Sequence, residues 1–442
     1  MRHAGGAPRA HRRAARAPRG GGLSAVATED LEAFRRRART FVRANLRPVG
    51  SAVMTVRSRV SDEEELAAVA RDREVQRMLF DAGLAGVCVP REYGGQGLTP
   101  AHQRVLNEEL AGFEFPSRIQ VPTFAPCAAV LLEFGTEEQK QRHIPPMLRG
   151  EEIWMQFLSE PSGGSDVAGA LTSAVRDGDG WLLSGSKVWT TGAWWSDWAL
   201  CLARTDWDVA KHAGLTVFIL PIHQPSIDVH RIEMLNGNRE FCQEFLNEVR
   251  VPDGDRVGGV NDGWTVGTRW MFHERMSYNS PLVTFPTDAV HGVAGGASTL
   301  ELARAAGRAD DPRVRELIGE ARALEVVWRE LQHRVGVGIA TGAMSSQASA
   351  VARVFHCGAS MRQTTIAFDV AGAAGGAWTD DDGPLARAGT DFLMRQVACI
   401  GGGTTEMARN VVSERVLGMP RERTLDKDVA FRDVPRSPSA KR

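Results

Sequence analysis

The chain has 442 residues, 43% of them hydrophobic, and a formal net charge of -1, so it can bury a large core and divide into two or three domains. Near-neutrality provides no global field for nucleic acid or an acidic membrane surface, and no apolar run reaches the roughly 18 residues of a membrane span. Six cysteines, Cys88, Cys127, Cys201, Cys242, Cys357 and Cys399, contain no C-x-x-C pair, which points to reduced thiols in a cytoplasmic setting and argues against a zinc site.

Residues 1–27 carry Arg2, Arg9, Arg12, Arg13, Arg16 and Arg19 with no acidic residue and no apolar core of a secretory signal. This basic stretch is expected to be a disordered tail, as are residues 426–442 at the other end. From 28 to 151 the pattern is helical, with charged and apolar residues mixed as in Asp30–Phe34 and Glu63–Val69. Leu84–Gly97 interrupts it with Pro90 and four glycines and reads as a long loop.

Between 152 and 257 the periodicity changes to short alternating or apolar runs. Strands are expected at Trp198–Ala203, Leu215–Leu220, Ile227–His230 and Phe241–Val251. Ahead of them, Ser159-Glu160-Pro161-Ser162-Gly163-Gly164-Ser165-Asp166 sets small residues and hydroxyls where a backbone can approach a flat polar ligand or a diphosphate. Asp177-Gly178-Asp179-Gly180 then signals a turn between two alternating runs, the second ending at Lys187-Val188-Trp189-Thr190-Thr191. Trp189 and Thr191 should share one face of that strand. An ordinary hairpin has the same signature.

Helices return over 258–425. Asp310-Asp311-Pro312 starts one, and Val314, Leu317, Ala321, Leu324, Trp328 and Leu331 trace its apolar stripe. Ala371–Gly376 breaks the pattern, and Asp380-Asp381-Asp382 reads as a solvated tip rather than a metal site. The fold class is therefore α+β: an N-terminal all-α domain, a middle antiparallel β domain and a C-terminal helical bundle, with no Rossmann unit.

One helix concentrates chemistry. Trp264, Gly267, Met271, Glu274 and Tyr278 fall at helical spacing on one face, which sets Glu274 among apolar and aromatic neighbours. Burial there raises a carboxyl pKa and suits a base for a weakly acidic C–H. An ion pair with an arginine of a neighbouring helix is the plainer reading of the same residue.

SEPSGGSD at 159–166 followed by KVWTTGA at 187–193 resembles the paired flavin-binding segments of the acyl-CoA dehydrogenases. PREYGGQG at 90–97, Glu108-Glu109-Leu110, Phe134–Lys140 and NVVSERVLGMPRE at 410–422 extend the resemblance over roughly Glu29–Arg423. It implies FAD held by Phe157, Leu158, Ser159, Ser165, Trp189 and Thr191, with Thr404 and Glu406 approaching from a C-terminal loop. Ser165 and Arg275 are the implied substrate contacts.

Phe272-His273-Glu274-Arg275 matches the helix from which isovaleryl- and long-chain-type members supply a catalytic glutamate, so Glu274 is the implied base. Most other members carry it in a Y-E-G-T loop, where this chain has Ile400–Glu406 with Gly402 at the glutamate's position. Gly402 retains the main-chain N–H that the resemblance makes an oxyanion donor, and its missing side chain leaves room for a bulkier acyl group.

The implied activity is α,β-dehydrogenation of an acyl-CoA thioester to the trans-2-enoyl-CoA, with electrons passed to an electron-transferring flavoprotein. The implied assembly is a homodimer, a homotetramer or a heteromer with a paralogue. The sequence departs from the family in places. Ala306–Pro312 stands where the family has R-x-x-F-G, Asp369–Gly375 where it has Q-x-x-G-G-x-G, and Phe157 and Ser162 replace small residues. A catalytically silent subunit and a same-fold flavin monooxygenase or oxidase are the alternatives.

Overall fold

The computed structural model describes residues 29–49, 60–277, 280–287, 298–377, 383–424 and 426–435. The expected tail at 1–27, Tyr278 and Asp380–Asp382 lie outside these.

The N-terminal helices begin where the sequence supplies caps. Asp30 accepts from the Glu32 and Ala33 amides to start Leu31–Asn45. Ser61 with Glu64, and Thr136 with Gln139, form capping boxes for Asp62–Asp81 and Glu137–Leu148. Between these helices, Thr123–Ala128 is a fully buried π-helical turn following Pro122. Pro126 has no N–H to give there, which favours the wider turn.

Among the described residues eight strands form one sheet: β1 (Trp154–Phe157), β2 (Ser173–Asp177), β3 (Gly180–Thr191), β4 (Trp198–Arg204), β5 (Leu215–Pro221), β6 (Ile227–Ile232), β7 (Phe241–Pro252) and β8 (Arg256–Val257). Their order is β6-β7-β3-β2-β4-β5-β8, with β1 beside β4. Pairing is antiparallel except along β4, where β1 runs parallel over Trp198–Cys201 and β2 meets Arg204 in a single parallel pair. The other edge of β4 is occupied by β5, so β1 and β2 share one edge and the sheet forks between them. The chain that bridges the fork is 158–172, which contains the glycine-rich turn.

The central strands are covered on both faces, and alternation assigns their side chains to two cores. Leu200, Leu202, Val217 and Ile219 join Trp154, Trp270 and the N-terminal helices. Ala199, Cys201, Phe218 and Leu220 join Trp181, Trp195 and Leu246 on the far side. This double burial explains why β4 and β5 read as continuous apolar runs. The helix Asp62–Asp81 is fastened to the sheet region by Glu65, which accepts from Trp195 Nε1 at 2.9 Å and pairs with Arg231 at 2.9 Å.

After β8 come the helix Gly263–Arg275 and a bundle built on Pro312–Ala340 and Ser349–Ala371. Asp311 caps the first of these from its side chain, and Val314, Leu317 and Ala321 are buried against Ile366 and Val370. Gly372, at φ 60°, ends the second.

Residues 426–435, expected to belong to a disordered tail, are packed. Phe431 is buried, its ring 3.5 Å from the Arg204 guanidinium and 5.5 Å from Trp207, and its amide donates to the Val209 carbonyl at 2.8 Å. Lys211 bridges Asp426 at 3.1 Å and Asp166 at 3.0 Å. One aromatic plug and two ion pairs, Lys211–Asp426 and Arg432–Asp208, thus strap the segment beside the glycine-rich turn. Truncation after residue 425 is expected to accelerate amide exchange over 204–214, measured by mass spectrometry, because Arg204 and Trp207 lose their cover.

Candidate active site

The glycine-rich turn is anchored from below. Glu160 is buried and both of its carboxylate oxygens are occupied: Oε1 accepts from Lys187 Nζ at 2.8 Å and the Thr172 amide at 2.9 Å, and Oε2 from the Leu171 amide at 2.6 Å. Burial alone would push its pKa up, but the Lys187 ammonium and these donors hold it below the usual carboxylate range. Lys187, wholly buried, also donates to the Leu202 carbonyl at 2.6 Å and the Leu158 carbonyl at 3.3 Å. Above this pair Glu160 and Gly163 exchange main-chain hydrogen bonds, and the Val188 amide donates to the Ser159 carbonyl at 3.0 Å. The turn is therefore fixed to both β1 and β3, while Ser162, Gly164 and Ser165 remain exposed. A Cβ on Gly163 would meet nothing within 4 Å, and one on Gly164 only Ser159 Oγ at 3.7 Å. The surface over these glycines is open to a ligand.

Trp189 stands on the same strand as a β-bulge. The β3–β7 register shifts between Val188 and Thr190, and Trp189 has φ 67°, a left-handed conformation that costs a non-glycine residue about 1–2 kcal/mol. Its side chain is 58% exposed, edge-on to Phe241 with centroids 5.8 Å apart. Thr191 is exposed and Thr190 buried between them. A strained, uncovered indole beside an exposed hydroxyl is an arrangement suited to a flat aromatic ligand. Gly192 then turns the chain at φ 69°, where a Cβ would lie 2.1 Å from the Trp195 ring.

Phe157 offers a ligand its main chain rather than its ring. The ring is wholly buried in the far core, so only its main chain is free to serve a ligand. Leu158 and Ser159 are partly exposed, with Leu158 packed on the core that also holds Trp270.

Glu274 lies in the last turn of Gly263–Arg275, with Val266, Gly267 and Trp270 buried and Met271 packed on the same core. Trp270 Nε1 donates to Gln156 Oε1, which ties the helix to β1. Arg269 and His273 both reach Glu133, at 2.8 and 2.9 Å. Among the described residues no ion pair or hydrogen bond reaches the half-buried Glu274 carboxylate. Burial pushes its pKa up, and neighbouring Arg275, whose side chain is exposed, only partly opposes the shift. Burial pushes the Cys127 thiol in the π-helical turn well up, and the Glu274 charge adds to that shift.

Gly402, Thr404 and Glu406 form a separate group on the bundle. Gly402 is exposed at φ 72°. Arg353 Nη2 donates to the carbonyls of Gly401 and Gly403, the latter at 3.0 Å, and so clamps the loop on both sides of Gly402. The Thr404 hydroxyl caps Thr405–Val411 by accepting from the Met407 amide at 3.2 Å. Glu406 is exposed, 3.7 Å from Arg409. Thr404→Ala should cost this helix about 1 kcal/mol, read as roughly fivefold faster amide exchange over 405–411. Among the described residues no hydrogen bond or ion pair joins this loop to Glu274 or to the sheet. Its group and the sheet's group are brought to hand by different parts of the chain.

The two segments that depart from the family pattern meet each other. Arg308 donates to the Asp369 carbonyl at 2.8 Å and the Val370 carbonyl at 3.2 Å and pairs with Asp311 at 3.0 Å. All six cysteines are free thiols. No helix among the described residues is long and apolar enough to cross a membrane, and they contain no group of three or more metal-ligating side chains. The buried Lys187, Glu160 and Glu244, all in or beside strands, escaped the sequence reading. Strict alternation of β3 puts Lys187 in phase with the exposed Trp189 and Thr191, and it is the bulge between Val188 and Thr190 that turns Lys187 inward.

Profiles of the acyl-CoA dehydrogenase N-terminal, middle and C-terminal domains match residues 28–151, 156–249 and 261–417. The chain is similar to acyl-CoA dehydrogenase IpdE1 of Mycobacterium tuberculosis, 31% identical over 399 residues that span 89% of this chain and 99% of IpdE1. It is 34% identical over 365 residues to acyl-CoA dehydrogenase FadE34 of the same organism, covering 81% of this chain but only 47% of that longer protein. Among solved structures, the Tcur3481-Tcur3483 steroid ACAD superposes with a TM-score of 0.69 at 26% identity, over 89% of this chain and 98% of that one. The ChsE4-ChsE5 complex from Mycobacterium tuberculosis gives 0.65 at 24% identity, over 90% and 100% of the two chains, a likeness of fold.

Proposed function

This chain belongs to the acyl-CoA dehydrogenase family and is an oxidoreductase acting on acyl-CoA, and from that premise we propose that it desaturates an acyl-CoA thioester between Cα and Cβ with Glu274 as the base. The observation that carries the reading is the desolvated Glu274 carboxylate with no counter-ion bonded to it among the described residues. A base in that setting is strong enough to take an α-proton acidified by the thioester. The negative charge that develops on the thioester oxygen needs donors, and the Gly402 N–H, held by the Arg353 clamp, is one.

Family members are flavoproteins, and the exposed indole, the hydroxyls of Ser165 and Thr191 and the open glycine turn fit FAD. FAD, when bound, supplies the hydride acceptor for the β-hydrogen. Trp189 and Thr191 would hold its ring. Leu158, Ser159 and the Phe157 main chain would line it, and Ser165 would approach the diphosphate or the CoA. Thr404 and Glu406 would reach it from the C-terminal loop, and Arg275 would meet the substrate. An electron-transferring flavoprotein is the proposed acceptor, in the cytoplasm where six free thiols persist. The solved relative named a steroid ACAD, together with the missing side chain at Gly402, favours a bulky acyl group. Anaerobic titration of the purified protein with straight-chain, branched and sterol side-chain acyl-CoAs, following loss of flavin absorbance, tests this directly. Bleaching by at least one thioester is expected.

A second reading, one subunit of a heteromeric enzyme, is favoured by Arg308. It is spent on the end of a helix of its own bundle, although it stands at 306–312, where the family has the R-x-x-F-G segment that reaches the adenine end of a neighbouring subunit's FAD. Light scattering of the chain purified alone, together with its flavin content, separates a competent homomer from a chain that needs a paralogue.

A further inference from the structure

Glu244 lies within β7, wholly buried, and the chemistry proposed above does not use it. It stands opposite Lys187 in the β3–β7 ladder, but the Lys187 ammonium is taken up by Glu160 and two carbonyls. What reaches Glu244 is the Thr190 hydroxyl, 3.0 Å from Oε2 and also 3.3 Å from the main-chain oxygen of Gln156. Glu244 Oε1 has no hydrogen-bond partner among the described residues.

A hydroxyl carries one hydrogen, so Thr190 cannot donate to both acceptors. Both contacts hold together only if Glu244 carries a proton and donates it to Thr190 Oγ1, while Thr190 donates to Gln156. An ionised Glu244 takes the Thr190 hydrogen for itself and leaves the Gln156 carbonyl without it.

We propose that Glu244 is a positioning residue that, through Thr190, fixes the Trp189 bulge to β1. Thr190 is the residue immediately after the bulge. Gln156, at the other end of the relay, accepts from Trp270 one turn before Glu274. The relay thus touches the strand that presents the indole and the helix that presents the base. The inference rests on the reading of Trp189 as flavin-facing only where it extends to the cofactor.

Burial pushes Glu244 up to about 8, against the opposing pull of Thr190 and Lys187. The other groups around it are Lys187 on β3 with its partner Glu160, Cys201 on β4, Cys242 on β7 and Arg231 on β6. Lys187 and Glu160 are paired, and Arg231 is paired with Asp62 and Glu65. Both thiols are pushed up to about 12. Glu244 is therefore the member of this cluster that changes charge near pH 8. Because its folded pKa is raised, its contribution to stability is full below the ordinary carboxylate range and is lost as pH rises to about 8.

The test is the tryptophan emission of Trp189, taken as the difference between the parent and Trp189→Phe, across this pH range. In the parent the difference spectrum should shift with a midpoint near 8. In Glu244→Gln, whose neutral amide can still donate to Thr190, it should stay at the parent's low-pH form throughout. Thr190→Val should show the high-pH form at every pH. A midpoint that persists unchanged in Glu244→Gln would overturn the proposal. The visible band of the bound flavin, recorded in the same samples, should move with the same midpoint. If the indole signal follows Glu244 while no acyl-CoA bleaches the flavin, the relay stands and the dehydrogenase reading falls.

Discussion

Glu274→Gln should lower the rate of flavin reduction by an acyl-CoA about 10²–10⁴-fold while leaving thioester binding nearly unchanged. The amide keeps the shape of the side chain and its place in the last turn of Gly263–Arg275, so loss of the basic oxygen is the main change. The pH profile carries a second signature. Burial raises the Glu274 pKa, and the base works only when ionised, so the parent's rate should climb as pH rises through that raised value. The variant should show no such rise. For stability the sign is opposite: a raised carboxyl favours the folded chain at low pH and loses that contribution as pH increases. Stopped-flow absorbance under anaerobic conditions measures both the rate and its profile, and a variant as fast as the parent would remove Glu274 from the base role.

Lys187→Met should destabilise the β domain by about 3–5 kcal/mol, because it leaves Glu160 as a buried carboxylate without its counter-ion. Glu160 would still accept from the Leu171 and Thr172 amides, yet the ammonium that opposes its desolvation would be gone. In the parent the folded pKa of Glu160 is depressed, so its stabilising contribution exists above the ordinary carboxylate value and is lost as pH falls. In the variant its pKa should be raised instead, so the deficit should shrink in acid, where Glu160 can take up a proton. Thermal unfolding followed by circular dichroism at neutral and acidic pH reads this difference. A deficit independent of pH would indicate lost packing of the lysine stem rather than a stranded charge. Because Glu160 begins the glycine-rich turn, the variant should also retain less flavin.

Local chemistry was the legible part of this chain. Asp311 before Pro312, the Asp177–Gly180 turn and the apolar runs at 198–203 and 215–220 are short-range signals, and the helix, the hairpin and the strands lie where they point. Glycine density at 159–166 likewise announced a turn with open space above it. Features decided by partners distant in sequence were not legible. The parallel seat of β1 beside β4 depends on the 158–172 segment leaving the sheet at its fork. Lys187 and Glu244 are charged side chains in strands, which ordinarily mark a solvent face, and only the tertiary fold shows them buried. Phe431 is a lone aromatic in a charged segment whose pocket, between Arg204 and Trp207, is assembled from residues more than 200 positions away.

The site divides along the same line. Trp189 and Thr191 were legible as neighbours on one exposed face, but the bulge that gives Trp189 its left-handed backbone was not, because an inserted residue shows only against β7. Glu274 was legible as an acid on an apolar helix face. That no described residue forms an ion pair with it was not legible, since Arg269 and His273 on the same helix both find Glu133 instead.

The most direct measurement is hydrogen exchange at Cα of an acyl-CoA that binds but has no removable β-hydrogen, followed in D₂O by mass spectrometry. If Glu274 takes the α-proton, the parent should wash deuterium into that position and Glu274→Gln should not. Equal exchange by the two proteins, or none by the flavin-loaded parent, would contradict the assignment.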